Sequence, residues 1–293
     1  FDAGNRQRFV STIATGDWDA VILSTSQAKL IKNDPEFEAD LIDNEIRQIV
    51  AAAKAASNLK GSRLIKAMEE KKSRLEGRSK RLRSYRKDNL LTWKDLGIDL
   101  LCVDEADVYK NLGFVSGHRD VAGLGNPEGS QQAFDMYLKV RYTNDVLDAK
   151  VVMGTGTVIS NSGVELYTFM RYLSHDVLAE RGIDLLDPFL ANFGDIKADV
   201  EMDATGMRYK LRTRLRAYTN RQDMMRLYQN FADVVTSEDM EDAHFASTGR
   251  RLKAKLKNGG ITPVLSEPSP GQRKEMRMII GRALRLEGLI GEK

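Results

Sequence analysis

Between Pro35 and Asp88 the apolar residues recur at helical spacing: Leu41, Ile46, Ile49 and Val50, then Leu64, Ile65, Met68 and Leu75. Pro is absent after the start of this stretch, and Gly occurs only at Gly61 and Gly77. The pattern predicts a helical hairpin whose two helices break near Ser57-Asn58-Leu59-Lys60-Gly61. Elsewhere the apolar residues run consecutively. Asp19-Ala20-Val21-Ile22-Leu23-Ser24 follows a turn-like Thr15-Gly16-Asp17-Trp18, and comparable runs cover Leu96 to Val103 and Ala149 to Met153. Each reads as a short buried strand. Helical patterns cover Ser130 to Leu147 and Val164 to Leu173. Alternating strands and helices, with strands apolar throughout, predict an α/β fold whose parallel sheet is covered on both faces. Function in such sheets gathers at the carboxyl ends of strands.

Beyond Leu173 the rhythm weakens. Arg212-Thr213-Arg214-Leu215-Arg216 alternates, which places the guanidinium groups on one side of an extended segment. The Met224-Met225 pair, spaced with Leu227 and Phe231, reads as core. Gly259 to Gly271 is rich in Gly and Pro and reads as a linker, and Gln272 to Leu289 reads as a helix. The expected organisation is an α/β domain over 1–175, with the hairpin inserted at about 35–90. A basic, mainly helical segment follows over 176–258, then the linker and last helix over 259–293.

Charge and composition narrow the chemistry. Over 293 residues, 45 Lys+Arg and 42 Asp+Glu leave a net charge of +3, with 3 His and 1 Cys. One Cys cannot form an internal disulfide. His118, His175 and His244 are scattered, which argues against a zinc site; His118 and His175 are expected in surface or loop roles. Cys102 reads as packing within a buried strand, where an apolar setting raises a thiol pKa. No apolar run approaches the ~20 residues of a membrane span. The start, Phe1-Asp2-Ala3-Gly4-Asn5, lacks signal-peptide character, so a cytoplasmic protein with no membrane partner is expected. A start without Met suggests a piece of a longer polypeptide. The bland net charge hides local structure: Lys54 to Asp88 carries 13 Lys/Arg against 4 Asp/Glu, 13 − 4 = +9. That arm is either a solvated helix face or, through Arg81, Arg83 and their neighbours, a phosphate-contacting surface. A second basic strip holds Arg208, Lys210, Arg212, Arg214, Arg216, Arg221 and Arg226. Trp18 either packs the turn before the first strand or stacks on a base.

The strongest chemical signal is the strand Leu100–Val103 running into Asp104-Glu105-Ala106-Asp107. Nucleotide hydrolysis needs an acid fixed at a strand end to hold Mg²⁺ and a second carboxylate to orient water. Neighbouring residues at a strand end diverge, so Asp104 and Glu105 can divide those tasks. About fifty residues on, another strand ends in Gly154-Thr155-Gly156-Thr157, with Ile159-Ser160-Asn161 after it. No Gly-Lys-Ser/Thr phosphate loop occurs anywhere in the chain. The Gly-rich segment Gly123 to Gly129 lacks the Lys and reads as a connecting loop.

Asp-Glu-Ala-Asp followed by Tyr109-Lys110-Asn111-Leu112, with the later Thr-Gly-Thr and Asn161, resembles the superfamily 2 DEAD/DEAH-box helicases. The Snf2-like branch is the most similar. Asp107 stands where that branch has His, and Val158 where it has Pro. Thr15 to Ile22, Leu96 to Asp99, and Asn161-Ser162 with Glu165-Leu166-Tyr167 resemble the large helicase-like proteins of phages and mobile elements. Some of those are fused to methylase domains or serve in antirestriction. The resemblance covers roughly residues 8 to 240. It implies part of a RecA-like lobe in an ATP-dependent DNA translocase or helicase of a bacterial or phage-infected cell. In that reading Asp104 holds Mg²⁺, Glu105 activates water and Asp107 links the nucleotide site to the third motif. Thr155, Gly156 and Thr157 form that motif, and Ser24, Thr25 and Ser26 contact the nucleic-acid backbone. ATP and Mg²⁺ are the implied cofactors and duplex DNA the partner. A second RecA-like lobe carrying the arginine finger is implied outside this chain, and the isolated chain is expected to be inactive. The alternative is a non-catalytic DNA-binding or partner-docking module with a vestigial motif.

Overall fold

A computed structural model describes residues 3–56, 62–84, 91–118, 121–160, 162–202, 209–251, 263 and 265–286. The hairpin break at 57–61, the end of the basic arm (Tyr85, Arg86, Lys87), Asn161, Arg208 and the first part of the 259–271 linker (259–262 and 264) lie outside these residues. The chain forms two compact units, Phe1–Lys197 with Thr213–Phe231, and Ala198–Arg212 with Ala232–Lys293. In chain order the elements are α1 (Ala3–Thr15), α2 (Thr25–Ala28), α3 (Pro35–Ala56), α4 (Ser62–Ser84), β1 (Leu100–Val103), α5 (Gln131–Asp145), β2 (Lys150–Met153), α6 (Val164–Leu173), α7 (His175–Glu180), α8 (Leu186–Phe193), β3 (Gly194–Met202), β4 (Tyr209–Tyr218), α9 (Arg221–Gln229), α10 (Ser237–Thr248) and α11 (Pro270–Leu286). The fold is α/β, as the hydrophobic pattern predicts.

The helical hairpin forms from α3 and α4, which pack on each other. Asp34 starts α3: its Oδ1 accepts from the backbone N–H groups of Glu36 and Phe37, each at 3.0 Å. Pro35 is the first helical residue, where its missing N–H costs nothing. β1 and β2 pair in parallel, Leu100 opposite Lys150 and Val103 opposite Met153. Leu101, Val103, Val151 and Met153 face a core that also holds Tyr109, Met136 and Tyr172.

Two expectations about this sheet are corrected. The run Asp19–Ser24 is not a strand; Ile22 is 96% exposed. A short apolar run lacks strand identity until a neighbour supplies its backbone partners, and local contacts take it elsewhere. Trp18 folds back on the turn, its Nε1 donating to Thr12 O at 3.1 Å, and the residue is 57% exposed. Ser24 then caps α2 with a reciprocal bond to Gln27. The sheet is also not covered on both faces: Leu100, Cys102 and Val152 are exposed. Cys102 is therefore not the buried packing residue expected.

α6 is the spine of the first unit. Every residue from Val164 to Met170 is buried, as for a helix enclosed on all sides. Phe169 and Tyr172 face the sheet core, while Leu166, Tyr167 and Met170 join a second core with α8 and α9. Met224 and Leu227 belong to that core, whereas Met225 is 48% exposed. β3 and β4 form a second two-stranded sheet inside the segment expected to be mainly helical. In the second unit Glu241 is buried, and no apolar residue is, among the described residues.

Candidate nucleotide and nucleic-acid site

The ends of β1 and β2 are stitched together. Gly154 N donates to Val103 O at 2.8 Å, and Ala106 N donates to Gly154 O at 2.9 Å. These bonds bring the acidic segment Asp104–Asp107 beside the Thr155-Gly156-Thr157 turn. Ala106 and Tyr109, both buried, anchor a single helical turn, Ala106–Tyr109. Asp104 and Glu105 stay exposed at the strand end, and Asp107 is half-buried. Glu105 N donates to Asp104 Oδ1 at 3.0 Å, which orients that carboxylate. Glu105 itself adopts φ 49° and ψ 51°, in the left-handed region. A non-glycine residue there stores about 1–2 kcal/mol of strain, a feature that concentrates at functional sites. Thr157 N donates to Thr155 Oγ1 at 3.1 Å, closing the third-motif turn on itself.

A second cluster fastens this turn to its surroundings. Glu165 lies in the first turn of α6 with its side chain 6% exposed. Its Oε2 accepts from Ser160 N at 2.6 Å. Lys110, three residues past Asp107, lies 3.9 Å from Glu165 Oε1 and donates to Ser160 Oγ. A buried carboxylate must be paired and hydrogen-bonded, and here its partners come from both motifs. In the sequence these two residues entered only as part of a likeness. The one local sign of Glu165 is an acid at the start of a mainly apolar helix.

The hydroxyl run after the first apolar segment has local tasks. Ser24 Oγ accepts from Gln27 N at 3.3 Å and lies 3.0 Å from Ser26 Oγ. Thr25 lies close enough to Tyr109 to offset part of the rise that burial causes in its pKa, so the run reaches the acidic motif from the α2 side. Part of the basic arm is engaged with its own hairpin. Arg83 Nη2 lies 2.7 Å from both Asp40 and Asp43. Arg78 pairs with Glu38, and Lys71 with Glu45. Arg81 is exposed. β4 is extended, as the alternation predicts, and Arg212, Arg214 and Arg216 occupy alternate exposed positions along it. Arg212 sits 4.0 Å from Glu201 of β3.

His175 is neither a surface nor a loop residue. It begins α7 and is half-buried; burial, then Arg141 and Arg171, push its pKa down to about 4. Among the described residues no group of three His, Cys, Asp or Glu side chains forms a metal cage, and no helix is long and apolar enough to cross a membrane.

Neither a curated protein nor a solved structure matches the chain. A family model does, over residues 1–236, and its span takes in the acidic motif, the third-motif turn and β4. The chain belongs to the family described as a probable helicase domain.

Proposed function

We propose that the chain is part of the ATP-binding motor of a Snf2-like DNA helicase or translocase, encoded by a phage or mobile element. The observation that carries this reading is the stitched pair of strand ends, which sets Asp104–Asp107 against Thr155–Thr157. Membership of the helicase-domain family supports it. Mg²⁺ keeps several waters and uses one or two carboxylates plus substrate phosphates. An exposed, oriented Asp104 without a protein cage around it fits that mode of binding. In the motor Asp104 would hold the ion, which would supply neutralisation of developing phosphate charge. Glu105, turned away by its left-handed backbone, orients and polarises the attacking water. Asp107 and the turn Thr155, Gly156 and Thr157 sense the nucleotide. No Gly-Lys-Ser/Thr cradle occurs in these residues, so the phosphate loop and the arginine finger of a second lobe are assigned elsewhere in the motor.

DNA contact is assigned to backbone phosphates through Arg212, Arg214 and Arg216 of β4, with Arg81 and the Ser24–Ser26 run as further contacts. Such contact is independent of sequence and falls steeply with salt. Arg83, held between two aspartates, is a weaker candidate than its charge suggests. The test is Glu105→Gln in the full-length protein. DNA-stimulated ATP turnover should fall by about 10²-fold or more, the range for losing a general base, while nucleotide binding persists. Unchanged turnover refutes the assignment.

A further inference from the structure

The segment between the acidic motif and α5 forms a closed strap. Its neck is fastened where Phe114 N donates to Pro127 O at 3.0 Å and Ser130 N to Asn111 O at 2.7 Å. Gly129 has φ +67°, and a Cβ there would lie 2.1 Å from Gly113 N. The neck therefore admits only glycine at that position. Arg119 and Asp120 lie outside the described residues.

The far side of the strap bonds to two elements at once. Ala122 makes a single rung with β4: Ala122 N donates to Thr213 O at 2.8 Å and Leu215 N to Ala122 O at 2.9 Å. The next carbonyl, Gly123 O, accepts from Gly163 N at 2.9 Å and from Ser162 Oγ at 2.9 Å. Ser162 and Gly163 are the last two residues before α6, on the far side of the third-motif turn. Gly163 is in turn pressed against β4, since a Cβ there would lie 2.5 Å from Leu215 Cδ2. Two adjacent residues, Ala122 and Gly123, thus join the exit of the third motif to the strand that carries Arg214 and Arg216. Its root is the acidic motif, three residues beyond Lys110.

We propose that Ala122 and Gly123 are positioning residues that hold the basic strand β4 in register with the third-motif exit, so that a nucleotide-driven shift of that turn is passed to the DNA-contacting arginines. The inference rests on the motor reading. It requires neither residue to touch nucleotide or DNA. Coupling of this kind needs packed, hydrogen-bonded elements in continuous contact, and the strap supplies the short path. Among the described residues, no backbone hydrogen bond other than those of the strap ties Ser162 and Gly163 toward β4.

The experiment compares Ala122→Pro with Ala122→Ser in the full-length protein. Proline deletes the N–H that bonds Thr213 O; serine keeps it. Three quantities are read: ATP turnover without DNA, affinity for duplex DNA without nucleotide, and the stimulation of turnover by saturating DNA. Ala122→Pro should lower the stimulation by about fivefold, the worth of one lost backbone hydrogen bond, and leave basal turnover unchanged. Ala122→Ser should behave as the unmodified protein. A purely structural strap would instead lower all three quantities together for Ala122→Pro, and that result overturns the inference. So does full stimulation in a folded Ala122→Pro protein. If Ala122→Pro does not fold, Gly123→Ala replaces it: strained at φ +89°, it should depress stimulation alone. An unmodified protein that lacks turnover altogether refutes the motor reading, and this inference with it. An unmodified protein that is stimulated while the variants match it refutes only the strap.

Discussion

The basic arm can be assigned to packing or to phosphate by one side chain, Arg78. Its Nε and Nη2 both reach Glu38 Oε1, at 2.9 and 2.5 Å. Its guanidinium lies 4.9 Å from the centroid of the Phe134 ring. The pair is not fully exposed, with side-chain accessibilities of 30% for Arg78 and 12% for Glu38. Truncation by Arg78→Ala removes charge-assisted hydrogen bonds worth about 1.5–3 kcal/mol and a cation–π contact worth about 0.5–1 kcal/mol. Solvent screening on the arginine side reduces the first figure. The expected loss is therefore about 2–3 kcal/mol. Urea unfolding of Arg78→Ala, Glu38→Gln and the double variant gives the pairwise share, expected at about 1–2 kcal/mol. DNA affinity should change by less than about twofold, because a residue committed to an internal pair makes no phosphate contact. A stability loss below about 0.5 kcal/mol, joined to a tenfold or greater drop in DNA affinity, would refute the argument and make the arm a phosphate-contacting surface.

Two further outcomes test the site and its surroundings. At Glu105 the left-handed backbone reverses the usual order of substitutions: Glu105→Gly should be about 1 kcal/mol more stable than Glu105→Ala. Thermal unfolding reads this directly, and an alanine variant at least as stable as the glycine variant removes the claim of strain. For His175, a folded pKa of about 4 against an ordinary 6.5 means that between those values the unfolded chain binds a proton that the folded chain refuses. Stability therefore rises with pH across that window, is complete above about 6.5, and is lost as pH falls toward 4. His175→Gln should flatten the melting-temperature profile over pH 4–6.5, and a profile as steep as that of the unmodified protein contradicts the burial argument.

What could be read from the sequence was local in character. The hairpin helices, α5, α6, β1 and β2 each carry their own periodicity, and the residues Asp104–Asp107 and Thr155–Thr157 follow their strands directly. The Asp19–Ser24 segment misled because its four apolar residues fit a strand, yet a strand is defined by its neighbours. The exposed face of the sheet was illegible for the same reason. Leu100, Cys102 and Val152 look like the buried half of a doubly covered strand, and nothing in their own residue types says what lies above them. The pairings that tie the site together were out of reach by distance along the chain. Lys110 meets Ser160 and Glu165, and Ala122 meets Thr213 and Leu215; no period of 2 or 3.6 residues links such positions.

Charge shows the same division between what a segment contains and what it is free to do. The local +9 of Lys54 to Asp88 was the most conspicuous feature of the composition. Yet the helix just before it carries Glu36, Glu38, Asp40, Asp43 and Glu45, and three of the basic residues are spent on those acids within the hairpin. An intramolecular pair of this kind competes directly with a phosphate for the same donors, since each guanidinium fork can satisfy one acceptor geometry at a time. The shorter strip on β4 carries less charge, and Arg212 is itself within 4.0 Å of Glu201, but its arginines stand at alternate exposed positions of one strand, in a row a nucleic-acid backbone can follow. It is also the strip that Ala122 and Gly123 connect to the third-motif exit. On the proposed motor reading, the grip must respond to the nucleotide, so the basic segment with a short bonded path to the third-motif exit is the better candidate for that role than the one with the larger charge.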